Sequence, residues 1–346
     1  MTNKPFATDD LNFVLEQTRP LWDELRNKRL FITGGTGFFG TWLLSTFLHI
    51  NKKLTLHAEV SVLTRYPERF RTQSPHLASD PSVTMVSGDI RSFQIPPGEF
   101  EFVIHAATEV STITKNSNPI ERYTAITEGT AHMLEFAATH ATKKFLLTSS
   151  GAVYGVQPTD LSNVSEEFLG APDVLSPNSA YGEGKRASEL MCALYAKQSS
   201  IEFKIARCFA FVGPNLPLDS NFAVGNFIRD AIKGSPIQIG GDGTPLRSYL
   251  YAADLAVWLW TILFKAPTLR PFNVGSDEAI SIAELARLTA DTLNPSLPIS
   301  IAQHPKEGVA PTRYVPATQR VQHELGLSQH YSLAESIERT AVWYSS

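Results

Sequence analysis

The segment Thr33-Gly34-Gly35-Thr36-Gly37-Phe38-Phe39-Gly40 constrains the fold more than any other stretch of the chain. It joins a strand-like run over 29–33 to a helix-like run over 39–50. Gly35, Gly37 and Gly40 fit the spacing G-x-G-x-x-G. Without Cβ atoms the chain can turn sharply there and bring backbone N–H groups against a pyrophosphate at a helix N-terminus. Such a match is weak alone and strong between a strand and a helix near the start of an alternating pattern. No Gly-Lys-Ser/Thr follows, which excludes a P-loop.

The pattern does alternate. Strands are expected over 29–33, 59–64, 83–87, 102–106, 144–149, 203–208 and 272–274, and helices over 39–50, 120–141, 180–198, 221–233 and 251–265. Alternation of this kind predicts crossover units and an α/β, Rossmann-type doubly wound parallel sheet with a smaller C-terminal substrate-binding region. Past Gly213 the prolines multiply, which places that region at 213–248 plus 276–346 and the dinucleotide-binding part at 29–212 plus 249–275. Residues 1–28 form an N-terminal extension, helical over 9–27, with Pro20 expected to break or restart it.

Only 18% of the 346 residues are charged and the net charge is −4. That balance excludes disorder as the main state and argues against nucleic acid as a partner. Two cysteines, Cys192 and Cys208, make no disulfide or metal framework and read as buried apolar residues. The longest apolar stretch, 255–264, is half the roughly 20 residues a membrane span needs. With no signal pattern at the N-terminus, a cytoplasmic location and no membrane partner are expected.

The second expected strand ends in Thr64-Arg65, with Arg69 one helical turn on. An acidic residue there favours NAD, and an arginine accommodates the phosphate of NADP. Arg65 therefore leans the choice between NAD and NADP toward NADP. Tyr181 and Lys185, at i,i+4, share one face of the helix expected from 180. A free phenol, with a pKa of about 10, is a poor base at neutral pH. A neighbouring ammonium and a cationic nicotinamide ring stabilise the phenolate, which can then exchange a proton with a substrate hydroxyl. Upstream, 145–149 ends in hydroxyls at the sheet edge where ligands of open α/β sheets bind.

Together these residues resemble an extended short-chain dehydrogenase/reductase, of the nucleotide-sugar epimerase/dehydratase group. The resemblance rests on the glycine loop, Gly88-Asp89-Ile90, His105-Ala106-Ala107, Ser149-Ser150-Gly151-Ala152-Val153-Tyr154-Gly155, Tyr181 with Lys185, and Gly241-Asp242-Gly243 with Arg247-Ser248-Tyr249. It implies an enzyme, with a nucleotide-diphosphate sugar as its small-molecule partner and a homodimer paired through the helices over 120–141 and 180–198. It also implies a place in surface-polysaccharide sugar biosynthesis. By the same resemblance Gly34 to Gly40 hold the dinucleotide, Asp89 and Ile90 its adenine, and Ala106 and Ala107 line the nicotinamide path. Ser150 bonds the reacting sugar hydroxyl, Tyr181 is the acid/base, and Lys185 holds the nicotinamide ribose and tunes Tyr181. Arg247 and Arg313 face the substrate diphosphate, and Asn226 and Phe227 frame its base. No metal is expected.

The departures carry the functional expectation. Sugar 4,6-dehydratases of the family place Asp-Glu directly after the active-site hydroxyl, and decarboxylases keep the Glu; here stand Gly151 and Ala152. Small residues there resemble epimerases and 4-ketoreductases, so redox chemistry at carbon 4 is expected. Ala210 and Ile126 stand where the family commonly has asparagine. The alternatives are a dehydratase or decarboxylase with a displaced carboxylate, Glu109 or Glu128; an NADP-linked reductase of a non-sugar carbonyl; and a non-catalytic dinucleotide-binding regulator.

Overall fold

The computed structural model describes residues 4–107 and 118–345. The core is a seven-stranded sheet built from β1 (Arg29–Thr33), β2 (Glu59–Thr64), β3 (Val83–Ser87), β4 (Phe102–His105), β5 (Lys144–Ser150), β6 (Glu202–Cys208) and the strand Pro271–Val274. That last strand lies at one edge, followed by β6, β5, β4, β1, β2 and β3. Every neighbouring pair is parallel. The chain reverses its direction of winding between β1 and β4, and ligands of such sheets bind in the crevice outside that switch point.

The central strands are apolar without alternation, as strands covered on both faces must be. Phe31, Ile32, Val103, Ile104, Leu146 and Leu147 are fully buried. Helices α2 (Phe38–Leu54), α5 (Pro119–Thr139), α6 (Ala180–Ala196) and α8 (Ala252–Lys265) supply the covering layers, and the short α3 (Pro67–Gln73) and α4 (Pro75–Ala78) join β2 to β3. Helix α8 carries the stretch read as too short for a membrane, and Leu255, Trp258, Leu259, Trp260 and Ile262 are in the main core. No helix among the described residues is long and apolar enough to cross a membrane.

Past Gly213 a second core forms around α7 (Ala223–Ile232) and the helix Ile282–Leu293, with Val224, Phe227, Ile228, Leu285 and Ala286 at its centre. The C-terminal segment divides between the two cores, and Ile337 and Ala341 stay in this one. Val321, Leu327, Tyr331 and Trp343 return to the core of the sheet.

The N-terminal extension is a helix, α1 (Thr8–Thr18), that tightens into a 3-10 turn over Arg19–Leu25 at Pro20. It lies against the body of the molecule. Asp10 is 1% exposed. Its carboxylate accepts from the Tyr251 hydroxyl at 2.8 Å and from Arg339 at 3.1 Å. Phe6 stacks on Trp42 with centroids 4.1 Å apart, and Trp343 Nε1 donates to the Pro5 carbonyl. The extension thus ties α2, α8 and the last helix, Leu333–Ser345, together.

Candidate active site

Three glycines make the turn after β1 sterically possible. Gly34 sits at φ +71°, and a Cβ there would lie 2.7 Å from the Ala106 carbonyl group. A Cβ on Gly35 would meet Val62 at 2.6 Å, and one on Gly40 would meet the Gly34 oxygen at 2.2 Å. Gly37 differs: it caps α2 and is exposed. The spacing G-x-G-x-x-G therefore hides a division of labour, with Gly34, Gly35 and Gly40 closing the turn and Gly37 leaving the helix N-terminus open. Thr33 braces the turn from below. Its hydroxyl lies 2.8 Å from His105 Nδ1 and accepts from the Ala107 N–H at 3.1 Å, so β1 sets the loop carrying Ala106 and Ala107. Burial, with the Lys185 charge second, pushes His105 down to about 3, which keeps the imidazole neutral.

At the ends of β2 and β3, Arg65 is exposed and Asp89 faces Arg91 in a two-point ion pair at 2.7 and 3.1 Å. Hydrogen bonding to Arg91 holds Asp89 below the usual carboxylate range, and the Arg65 charge adds a smaller pull. Arg91 was not singled out from the sequence, although its place two residues after Asp89 was a usable signal. Ile90 packs beneath Gly129 on α5, where a Cβ would lie 2.8 Å from it.

Strand β5 ends in Ser150, whose Oγ accepts from the Ala152 N–H at 3.1 Å in the following turn. Ser149 points elsewhere, donating to Glu189 at 2.5 Å, and Glu189 is paired to Arg207 at 2.7 Å. Tyr181 lies in the first turn of α6, with Lys185 one turn on and only 2% exposed. Lys185 Nζ donates to the Thr148 carbonyl at 2.8 Å. Burial lowers Lys185 to about 8 and lifts Tyr181 to about 12, with the Ser150 hydroxyl offsetting part of the latter rise. The structure therefore brings Ser150, Tyr181 and Lys185 to one place at the carboxyl ends of the strands.

The expected substrate residues divide. Asn226 and Phe227 line a cavity of about 270 Å³ together with Gly240, Gly241 and Pro245. A larger cavity of about 450 Å³, lined by Tyr249, Glu278 and Arg287 among others, includes none of the expected site residues. Arg247 lies in a small sheet of Leu246–Arg247, Ile280–Ser281 and Arg313–Tyr314. Register pairs Arg247 with Tyr314 and Leu246 with Arg313. Side chains alternate along a strand, so Arg247 shares its face with Tyr314 and not with Arg313. Arg313 reaches the Ser162 carbonyl at 3.5 Å. Tyr314 was also missed; no local pattern marks it, because strand pairing alone brings it in. Glu128 is exposed and its charge acts on Arg91; Glu109 lies outside the described residues. Among the described residues no cluster of three or more metal-ligating side chains occurs.

The sequence profile of the NAD dependent epimerase/dehydratase family matches residues 30–275. The chain belongs to that family. Among its relatives, UDP-glucuronic acid decarboxylase 1 of Xenopus tropicalis is 28% identical over 324 residues, 93% of this chain and 73% of the relative. UDP-glucuronic acid decarboxylase 1 of Arabidopsis thaliana is 29% identical over 313 residues, 90% of this chain and 68% of the relative. Among solved structures, the UDP-N-acetylglucosamine 4-epimerase of Methanobrevibacter ruminantium, in complex with UDP-N-acetylmuramic acid, superposes with a TM-score of 0.77. It shares 18% identity over 92% of this chain and 98% of that one. The UDP-glucuronic acid 4-epimerase of Bacillus cereus, in complex with UDP-glucuronic acid and NAD, gives 0.75 at 22% identity over 91% and 98%. The Rossmann-type fold and the extended short-chain dehydrogenase/reductase resemblance are thereby confirmed, and NAD(P) is the cofactor of such family members. The glycine turn fits that group: the missing Cβ atoms of Gly34, Gly35 and Gly40 let it close on itself, and the exposed Gly37 caps the start of α2, where a helix N-terminus favours a pyrophosphate.

Proposed function

We propose that this member of the NAD dependent epimerase/dehydratase family oxidises and reduces carbon 4 of a nucleotide-activated sugar, as an epimerase or 4-ketoreductase. The observation that carries the reading is the convergence of Ser150, Tyr181 and Lys185 at a strand end where Gly151 and Ala152 supply neither acid nor base. When bound, the nicotinamide accepts or returns a hydride at carbon 4. The chain's own residues do the rest. Tyr181 takes the 4-hydroxyl proton or gives it back. Ser150 donates to the same oxygen. Lys185 holds a positive charge one helical turn from Tyr181, and Arg247 meets the diphosphate. Asn226 and Phe227 frame the nucleotide base in their cavity.

A second reading is decarboxylation of a nucleotide uronic acid, favoured by the relatives named above and disfavoured by Ala152. Oxidation at carbon 4 is useful there too, because a 4-keto acid loses carbon dioxide readily. Incubation with a panel of nucleotide hexoses and uronic acids separates the readings. Carbon-4 epimers without net loss of reduced cofactor mark an epimerase, and stoichiometric NADPH oxidation with a 4-keto sugar marks a reductase. Carbon dioxide release, or an alkali-sensitive 4-keto-6-deoxy product, overturns the proposal.

The cofactor preference is proposed as NADP. Support comes from Arg65 at the end of β2 and from Arg91, which neutralises Asp89 nearby. Arg65→Ser should weaken NADPH about tenfold relative to NADH, the worth of one charge-assisted hydrogen bond, measured by titrating each dinucleotide. A homodimer is proposed through α5 and α6, on which Ile120, Leu190 and Leu194 are exposed apolar side chains.

A further inference from the structure

Gly151 and Ala152 leave no carboxylate at the end of β5, yet the space beside Gly151 is filled. A Cβ on Gly151 would lie 2.6 Å from the Phe209 ring and 2.8 Å from the Tyr314 hydroxyl. Tyr314 arrives from the far end of the sequence on the small sheet that carries Arg247. Its ring rests against Phe209, centroids 4.7 Å apart, and its hydroxyl lies 3.4 Å from Ser150 Oγ. Tyr314 thus brings the C-terminal region to the end of β5.

We propose that Tyr314 is a positioning residue of the active site, whose hydroxyl donates to Ser150 Oγ and commits the Ser150 proton to the reacting oxygen. The inference rests on the carbon-4 reading above and adds to it a second phenol.

Hydrogen-bond accounting carries the argument. A serine hydroxyl has one proton to give and two lone pairs to fill. The Ala152 N–H occupies one lone pair at 3.1 Å. If Tyr314 occupies the other, the Ser150 proton can point only toward Tyr181 and the oxygen Tyr181 serves. The opposite polarity, with Ser150 donating to Tyr314, would divert that proton from the chemistry. Burial holds the Tyr314 phenol well above its ordinary range, so it keeps its proton and remains a donor. The separation of 3.4 Å is long for a bond between hydroxyls, and such contacts tighten when substrate fills the site. Tyr314 and Arg247 are register partners on one face, so a diphosphate drawn to Arg247 would pull Tyr314 onto Ser150 as well. The same arrangement accounts for Gly151: any side chain there would displace the Tyr314 hydroxyl or the Phe209 ring.

The test compares Tyr314→Phe, Ser150→Ala and the double variant on a nucleotide sugar that the wild type turns over. Tyr314→Phe should lose about tenfold in kcat, the worth of one hydrogen bond, with KM little changed. Ser150→Ala should lose more, and the double variant should be no slower than Ser150→Ala, because Tyr314 acts through Ser150. Losses that multiply, or a change in KM alone, overturn the proposal. An unchanged melting temperature and dinucleotide affinity for Tyr314→Phe exclude a folding effect. A second arm needs no turnover. In protein labelled with 3-fluorotyrosine, the fluorine resonance missing from Tyr181→Phe reports the ionisation of Tyr181. Tyr314→Phe should raise its midpoint, since Ser150 no longer aims its proton at the phenolate, and an unmoved midpoint overturns the proposal. If the midpoint rises while the wild type turns over no nucleotide sugar, the carbon-4 reading fails and the placement of Tyr314 stands.

Discussion

Tyr181→Phe should lower turnover by about a hundred- to ten-thousand-fold while leaving the fold and the dinucleotide affinity intact. The ring stays and only the hydroxyl is lost, so packing in the first turn of α6 is preserved. What disappears is the group that, in the proposed carbon-4 chemistry, exchanges a proton with the sugar. In the free chain burial lifts that phenol to about 12, and the Ser150 hydroxyl offsets part of the rise. At neutral pH such a phenol is almost wholly protonated. It becomes a useful base only when positive charge gathers beside it, from Lys185 and from the oxidised nicotinamide. Steady-state kinetics with melting curves and dinucleotide titrations check the result. A variant within tenfold of wild-type kcat would move the acid/base role to another residue.

The second large effect concerns stability. Asp254, at the start of α8, is 1% exposed and accepts from the backbone N–H groups of His330 and Tyr331, each at 3.2 Å. Burial raises it to about 7, against 3.8 for an ordinary aspartate, with the nearby Asp10 charge adding to the rise. The folded state therefore holds a proton that the unfolded chain releases at lower pH. For a raised carboxyl the contribution to stability is fully present below pH 3.8 and is lost as pH climbs through about 7. Over that window the loss is about 4 kcal/mol. Asp254→Asn keeps an acceptor oxygen for the two N–H groups and has no proton to release. Relative to wild type it should gain about 4 kcal/mol between acid and neutral pH, read from urea unfolding across that range. Parallel pH profiles for the two proteins would show that Asp254 is not the titrating group. The same docking holds the N-terminal extension, because Asp10 and Tyr251 lie in the same buried cluster.

Much of this was legible in order along the chain. The strand, glycine turn and helix over residues 29–50 announce their geometry locally, because missing Cβ atoms and apolar periodicity are properties of neighbours in sequence. The central strands are found within one or two residues of their expected bounds for the same reason. Tyr181 and Lys185 are legible because four residues make one helical turn. The role of Gly34 was less so: the spacing points to Gly35, Gly37 and Gly40, whereas the left-handed backbone and the contact with Ala106 fall on Gly34. That contact comes from β4, more than seventy residues away.

The C-terminal region shows the limit most clearly. Its prolines mark short pieces, and nothing local says which pieces pair. Only the pairing of Leu246–Arg247 with Arg313–Tyr314 puts Arg247 and Tyr314 on one face and turns Arg313 away. Only the approach of that sheet to β5 brings a phenol to Ser150 and leaves no room for a side chain at Gly151. Sequence by itself determined the dinucleotide fold and the shared helix face of Tyr181 and Lys185, since each depends on spacings within a strand, a turn or a helix, while Ser150 entered through the family resemblance. The tertiary structure decided what surrounds these residues, since contacts across hundreds of residues follow from strand register and burial, which no local spacing encodes.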